Sequence, residues 1–149
     1  MSIKLNVYVG LLAKTGIGKF WLKKNEIDAV GDKWVKSLQV RAVSNNARVI
    51  ELSGGNQQKA VVAKSLVQEP ELIIFDEPTR GVDVGAIAEI HQIINRLADE
   101  GKAVVVISSY LPEIMLLSDR LLVARQGKVV EEFSPVNATE EKLMYAAVH

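Results

Sequence analysis

The sequence predicts an α/β fold with parallel strands, and three observations carry that expectation. Leu72-Ile73-Ile74-Phe75 is a short apolar run without helical spacing, closed by the adjacent carboxylates Asp76 and Glu77. Ala86 to Leu97 follows with Ile87, Ile90, Ile93, Ile94 and Leu97 at helical spacing. Ala103 to Ile107 is a second apolar run. Short apolar runs of this kind read as buried strands, and a strand, helix, strand order implies parallel pairing through a right-handed crossover.

The other elements follow in chain order. Residues 1 to about 13 fit a helix or a strand equally well, and Thr15-Gly16-Ile17-Gly18 reads as a turn. Ile27, Val30, Trp34, Val35 and Leu38 recur at helical spacing, so 25 to 38 is an amphipathic helix with Trp34 in the core. Ser44-Asn45-Asn46 is a loop, and a helix runs from Asn56 to about Val67, ending before Pro70. Residues 71 to 76 form the first strand, broken by Pro78 and Thr79, and Gly81-Val82-Asp83 makes a turn. His91, alone on the helix that follows, suits a surface or packing role. Gly101 caps that helix before the second strand. Leu121 to Ala124 and Lys128 to Phe133 flank Arg125-Gln126-Gly127 as a hairpin, and a last helix starts near Thr139.

Composition narrows the function classes. At 149 residues and 48% hydrophobic, the chain can bury one domain-sized core. Eighteen basic and eighteen acidic residues cancel, which argues against nucleic acid as the main ligand, because phosphate-backbone binders concentrate a basic excess. Cysteine is absent, so disulfides, thiol nucleophiles and cysteine metal sites are excluded. No apolar run approaches the roughly eighteen residues a membrane helix needs, and the N-terminus shows no signal-peptide pattern.

Two motifs carry the chemistry. In Leu52 to Lys59, Leu-Ser-Gly-Gly-Asn-Gln-Gln-Lys, Ser53 supplies a hydroxyl and Gly54 and Gly55 let the backbone approach a ligand before a helix whose open N–H groups face an anion. The same turn also suits a plain polar cap. In the second motif, acids at the end of a parallel strand belong in the crevice where open α/β sheets bind ligands. There Asp76 would hold Mg²⁺ through water and Glu77 would polarise an attacking water. Taken alone, Asp76 also fits a helix cap and Glu77 a solvated loop.

Taken together, in this order and at this distance, the two motifs resemble the nucleotide-binding domain of an ATP-binding cassette (ABC) transporter. Ser53-Gly54-Gly55 is similar to the family's signature, Ile73 to Glu77 to its Walker B strand, and Gly81-Val82-Asp83 to its D-loop. Asn56-Gln57-Gln58-Lys59 and Pro78-Thr79-Arg80-Gly81-Val82-Asp83-Val84-Gly85-Ala86 resemble the C-terminal part of the second cassette of ribose, galactose and xylose importer ATPases. The likeness continues through Ile107-Ser108-Ser109-Tyr110-Leu111-Pro112-Glu113 and Ser118-Asp119-Arg120.

The resemblance implies a partial P-loop NTPase (RecA-like) ABC cassette with part of the α-helical subdomain and a C-terminal β-hairpin and helix. Residues 1–51 would be the remainder of the helical subdomain. Residues 52–149 would carry the signature helix, the Walker B and switch strands, the hairpin and the last helix. It implies ATP and Mg²⁺ as cofactors, with Asp76 toward the metal, Glu77 and Ser109 catalytic, and Ser53, Gly54, Gly55, Gln57 and Asp83 toward nucleotide. Implied partners are a second cassette and membrane permease subunits, with a sugar-type solute delivered through permease and binding protein. The implied location is peripheral, on the cytoplasmic face of the plasma (inner) membrane. In such a sandwich the signature faces the γ-phosphate of ATP held by the other cassette.

Two departures from the family pattern matter. The only match to its phosphate-cradling Walker A loop, G-x-x-x-x-G-K-[ST], is Ala13 to Phe20, where Ala13 replaces the first glycine and Phe20 the Mg²⁺-binding hydroxyl. It reads as a chance match, so the chain is expected to begin inside a cassette. Ser109 stands where most cassettes place a histidine, and a hydroxyl cannot carry charge or shuttle a proton near neutral pH. An isolated chain is therefore expected to bind ATP poorly and to hydrolyse none. The implied importer role leaves two alternatives: a non-catalytic module that pairs with a full cassette, and a soluble cassette protein of translation or DNA repair. The Asn56 to Lys59 tail and the charge balance count against the last. With the Walker A strand missing, an exposed apolar strand edge is expected.

Overall fold

The computed structural model describes residues 1–15, 23–44 and 46–149. Its contacts divide the chain into two units, Met1–Ile73 with Thr79–Ala103, and Ile74–Pro78 with Val104–His149.

Among the described residues, four helices build the first unit: α1 (Ile3–Thr15), α2 (Lys24–Ser37), α3 (Gly54–Leu66) and α4 (Val84–Asp99), with a 3₁₀ turn at Val49–Glu51. The ambiguity at the N-terminus resolves as helix. Ile3 and Val7 are fully buried and lie with Gly10 on one helical face, while Tyr8, 2% exposed, is buried on the face it shares with Lys4, so tertiary burial at helical spacing overrides the β-formers Val7, Tyr8 and Val9. Lys4 bridges to Asp28 and Asp32 of α2 at 3.0 Å each, an i, i+4 pair on one face, and Tyr8 donates to Glu26 at 3.0 Å. Those two carboxylates, Asp32 first, raise the Lys4 ammonium above its ordinary pKa.

Close approach explains where the glycines sit. A Cβ on Gly10 would fall 1.9 Å from the Lys64 carbonyl oxygen in α3, and one on Gly31 would fall 2.6 Å from the Lys4 Cβ in α1. The helices therefore pack backbone against backbone, a contact any added methyl would break. The turn expected at Thr15 to Gly18 lies outside the described residues beyond Thr15, as do Gly18 and Lys19 of the Walker A-like stretch. α4 ends with Gly101 at φ +84°, where Gly101 N–H donates to Ala98 O and Lys102 N–H to Leu97 O, the two bonds of a Schellman closure.

β1 (Leu72–Asp76) and β2 (Ala103–Ile107) are hydrogen-bonded neighbours. Ala103 N–H donates to Glu71 O and Glu77 N–H to Ile107 O, so the strands pair start to start and end to end, which is parallel. The expectation of fully buried strands is corrected. Ile73 and Phe75 are 7% exposed, but Leu72 and Ile74 are 53% and 60% exposed, and Val105 and Ile107 of β2 are also exposed. Each strand has only the other beside it among the described residues, which leaves apolar side chains uncovered.

The second unit carries the strand ends, α5 (Leu111–Leu117), the hairpin of β3 (Leu121–Arg125) and β4 (Lys128–Phe133), and α6 (Glu140–Val148). Its core is Leu121, Val123, Ala138, Leu143 and Ala146. Arg125 pairs with Lys128 across Gln126 and Gly127, both at positive φ, as a two-residue type I′ turn requires, and a bulge follows at Val123/Ala124. α6 is capped by Thr139, whose hydroxyl accepts the Lys142 N–H at 3.3 Å. No described helix is long and apolar enough to cross a membrane.

Candidate functional site

The residues singled out by the sequence fall into two groups, one in each unit. In the first unit, α3 begins two residues earlier than expected, at Gly54, with Ser53 as its N-cap in extended conformation. Ser53 and Gly54 are exposed, whereas Gly55 is buried. A Cβ on Gly55 would lie 2.2 Å from the Ala86 Cβ of α4. The glycine at 55 is thus required for helix packing, and the expectation that it opens the backbone to a ligand is corrected for its side-chain face. Its N–H, with those of Gly54 and Asn56, still lies in the first turn, where no intrahelical acceptor exists.

The Ser53 hydroxyl is fixed by a neighbour. Asn56 donates through Nδ2 to Ser53 Oγ at 2.9 Å, while its Oδ1 accepts the Arg41 N–H at 2.7 Å. Ser53 Oγ is therefore an acceptor toward Asn56, which leaves its own proton to be donated elsewhere. Gln57 does not join this surface, because its amide donates back to Leu52 O at 2.9 Å and its backbone N–H to Ser53 O.

Asp83 belongs to the same unit. Val82 N–H donates to Thr79 O across Arg80 and Gly81, and Gly81 holds φ +73°, so the turn expected from Gly81-Val82-Asp83 forms. Asp83 is exposed and caps α4, its Oδ1 accepting the Ala86 N–H at 3.1 Å. Gly55 and Asp83 are brought together, since the Cβ position of Gly55 lies 3.6 Å from Asp83 Oδ2.

The sequence reading missed Lys59. It is 1% exposed, and its ammonium donates to Glu89 of α4 and to Gln39 O at 3.3 Å. Glu89 is also bound by Arg41 at 2.8 Å. The Lys59 hydrogen bond, ahead of the Coulomb attraction of Lys59 and Arg41, holds the Glu89 carboxyl below the usual carboxylate range. A signal existed: Lys59 shares the helical stripe of Gly55, Val62, Ala63 and Leu66, all buried.

In the second unit, Asp76 ends β1 and is exposed. Glu77 sits at φ +46°, an uncommon value for a side chain of its size. It is gripped twice by the end of β2: its N–H donates to Ile107 O at 2.8 Å, and its Oε1 accepts the Ser109 N–H at 2.9 Å. Ser109 touches Glu77 through its backbone, a contact that any residue but proline can make at 109. Among the described residues, no cluster of three or more His, Cys, Asp or Glu gathers as a metal cage.

The family model described as ABC transporter matches residues 6–80. The xylose import ATP-binding protein of Thermoanaerobacter pseudethanolicus is 51% identical over 116 residues, covering 78% of this chain and 23% of that protein. The ribose import ATP-binding protein of Caldanaerobacter subterraneus is 42% identical over 149 residues, covering 99% of this chain and 30% of that protein. The chain thus spans less than a third of the length of these relatives. A solved ATP-binding cassette of an ABC transporter superposes with TM-score 0.82 at 22% identity over 100% of this chain and 63% of its own, which establishes the ABC cassette fold.

Proposed function

This chain belongs to the ABC transporter family, and we propose that it serves the ATP-binding subunit of an importer for a sugar or related solute. Its role there is to offer Ser53, Gly54 and the first turn of α3 to the γ-phosphate of ATP held by a second cassette. The observation that carries this reading is the exposed Ser53 hydroxyl, which accepts from Asn56 and so keeps its own proton to donate, beside the open N–H groups of a helix N-terminus. Such donors act on phosphoryl transfer by position and charge, so a contribution from across an interface can be decisive. Asp83, exposed next to Gly55, completes the surface. Gln57, turned to Leu52, supports the helix start rather than the ligand.

Asp76, an exposed carboxylate at a strand end, is the hard oxygen donor that suits Mg²⁺ through a water, and the ion when bound neutralises phosphate charge. Glu77 is the carboxylate that would orient the attacking water, with the Ser109 N–H fixing one of its oxygens. The Ser109 hydroxyl can add one hydrogen bond but no charge. Permease subunits, a binding protein and the membrane surface are the partners this reading requires, and the relatives' named substrates, ribose and xylose, mark the solute class. A second reading, a module that pairs with a full cassette without turnover, draws on the exposed apolar side chains of β1 and β2.

Titration of the purified chain with MgATP tests the proposal. No micromolar binding and no phosphate release are expected, together with ATP-dependent association to a full cassette that is lost in S53A. Micromolar affinity for the chain alone overturns it.

A further inference from the structure

Lys59 has no part in the reading above, yet α3 buries it completely while its other lysine, Lys64, stays exposed. Burying an ammonium is costly unless it is paired, and an apolar side chain of similar volume often holds two helices together as well or better. Cohesion alone therefore does not account for a lysine here. What the ammonium supplies and a methionine does not is direction: its hydrogen bonds to Glu89 and to Gln39 O hold in one registry only.

The surroundings show what that registry fixes. Lys59 donates to Glu89, Glu89 accepts from Arg41 Nη2 at 2.8 Å, the Arg41 N–H reaches Asn56 Oδ1 at 2.7 Å, and Asn56 Nδ2 reaches Ser53 Oγ at 2.9 Å. Hydrogen bonds joined through the Arg41 side chain thus link a buried anchor to the exposed hydroxyl of Ser53. On the other side, Gly55 and Ala86 meet where α3 and α4 begin, and Lys59 and Glu89 meet one turn further along both helices. Two contacts a turn apart remove both sliding and rotation of one helix against the other.

We propose that Lys59 and Glu89 are positioning residues that lock the first turns of α3 and α4 into one rigid element, so that Ser53-Gly54 and Asp83 meet a phosphate-bearing ligand together. The ligand clause rests on the nucleotide-facing function proposed above, whereas the mechanical lock does not.

Backbone amide exchange of the purified full chain, resolved by NMR, tests the lock. Gln57 N–H bonds to Ser53 O at 2.9 Å and Ile87 N–H to Asp83 O at 3.2 Å, so these two amides report the starts of the two helices. In K59M both are expected to exchange about tenfold faster in step, while amides of Leu66 and Ile94 keep their protection. Acceleration at one of the two only, at neither, or uniformly along both helices overturns the lock. Should K59M fail to fold, E89Q keeps size and an acceptor oxygen. It is expected to show the same paired effect at about threefold, and any of the same three outcomes overturns the lock there too. The ligand clause is read with sodium tripolyphosphate, which is expected to shift the Gly54 and Gly55 amide resonances of the unmodified chain and to do so severalfold less in K59M at equal concentration. Equal shifts in both chains overturn the positioning role, while no shift in the unmodified chain overturns the nucleotide-facing function and leaves the exchange result to decide the lock.

Discussion

The two groups of candidate residues are held by different means. In the first unit the Ser53 turn and Asp83 stand on two helices that touch through a glycine and an ion pair, and the fixing groups, Gly55 and Lys59, are buried. In the second unit Asp76 and Glu77 stand at a strand end, Asp76 is exposed, and the grip on Glu77 comes from two backbone groups of residues 107 and 109. Side-chain identity therefore matters for geometry in the first group, and backbone path matters in the second. A surface fixed by packing loses its shape when volume changes, and one fixed by main-chain hydrogen bonds loses it when a donor is removed.

Substitution can break this contrast. The largest effect is expected from G55A, where the added methyl would meet Ala86 Cβ at 2.2 Å and drive α3 from α4. Overpacking of this kind costs about 1–3 kcal/mol, read as a lowered thermal midpoint by circular dichroism. An unchanged midpoint would show that the two helices are not in firm contact. S109P comes next, since it deletes the N–H that holds Glu77 Oε1. A loss of about 1 kcal/mol is expected, with a shift of the Glu77 carboxyl carbon resonance in NMR; a resonance that stays put would mean the carboxylate is held by something else.

Acidification should separate the units more gently. The Lys59 hydrogen bond keeps the folded Glu89 pKa below its ordinary value of 4.5, so the unfolded chain binds the proton more readily. The stabilisation is then fully present above about 4.5 and is lost as pH falls through the lower folded value. Arg120, at 2.8 Å from Glu132, depresses that carboxyl in the hairpin in the same direction, but the pair is exposed and screened. Amide protection factors, corrected for the intrinsic slowing of exchange in acid, are therefore expected to fall in α3 and α4 before they fall in β3 and β4 between pH 6 and pH 3, and the reverse order would contradict the anchoring of Glu89 by buried Lys59. The smallest effect belongs to S109A, which keeps the N–H and should move the melting midpoint by no more than about 0.5 kcal/mol equivalent. A larger change would show that the hydroxyl, not the backbone, supports the loop.

Much of the fold was legible where periodicity and punctuation agreed. α2 and α4 show apolar spacing, Gly101 and the Gln126-Gly127 pair occupy backbone positions that call for positive φ, and Pro70 follows the end of α3. α5 was missed, because a seven-residue helix offers too few turns for a period to emerge and Pro112 near its start reads equally as a turn. The N-terminal helix escaped because β-formers cluster at Val7 to Val9, and tertiary burial chose between the two options. Strand existence was readable, but strand burial was not, since an apolar run says what a side chain prefers and not whether a neighbour arrives to cover it.

Within the candidate site, residue types named Ser53, Asp76, Glu77 and Asp83 as chemistry-bearing, and the structure supplies what type alone withholds: which way Gln57 turns, that Gly55 serves a helix contact, and that Ser109 meets Glu77 through its main chain. Lys59 eluded recognition because lysine is ordinarily a surface residue, and only its phase on α3 gave it away.

Gly10, Gly31 and Gly55 make a forecast about sequence drift in this chain. Every codon change away from glycine installs at least a methyl where 1.9, 2.6 and 2.2 Å of clearance remain, so no replacement is small enough. Gly81, Gly101 and Gly127 meet nothing within 4 Å, and there asparagine, at ease with positive φ, is an admissible replacement. A saturation library sorted for folded protein would set an immutable trio apart from a permissive one.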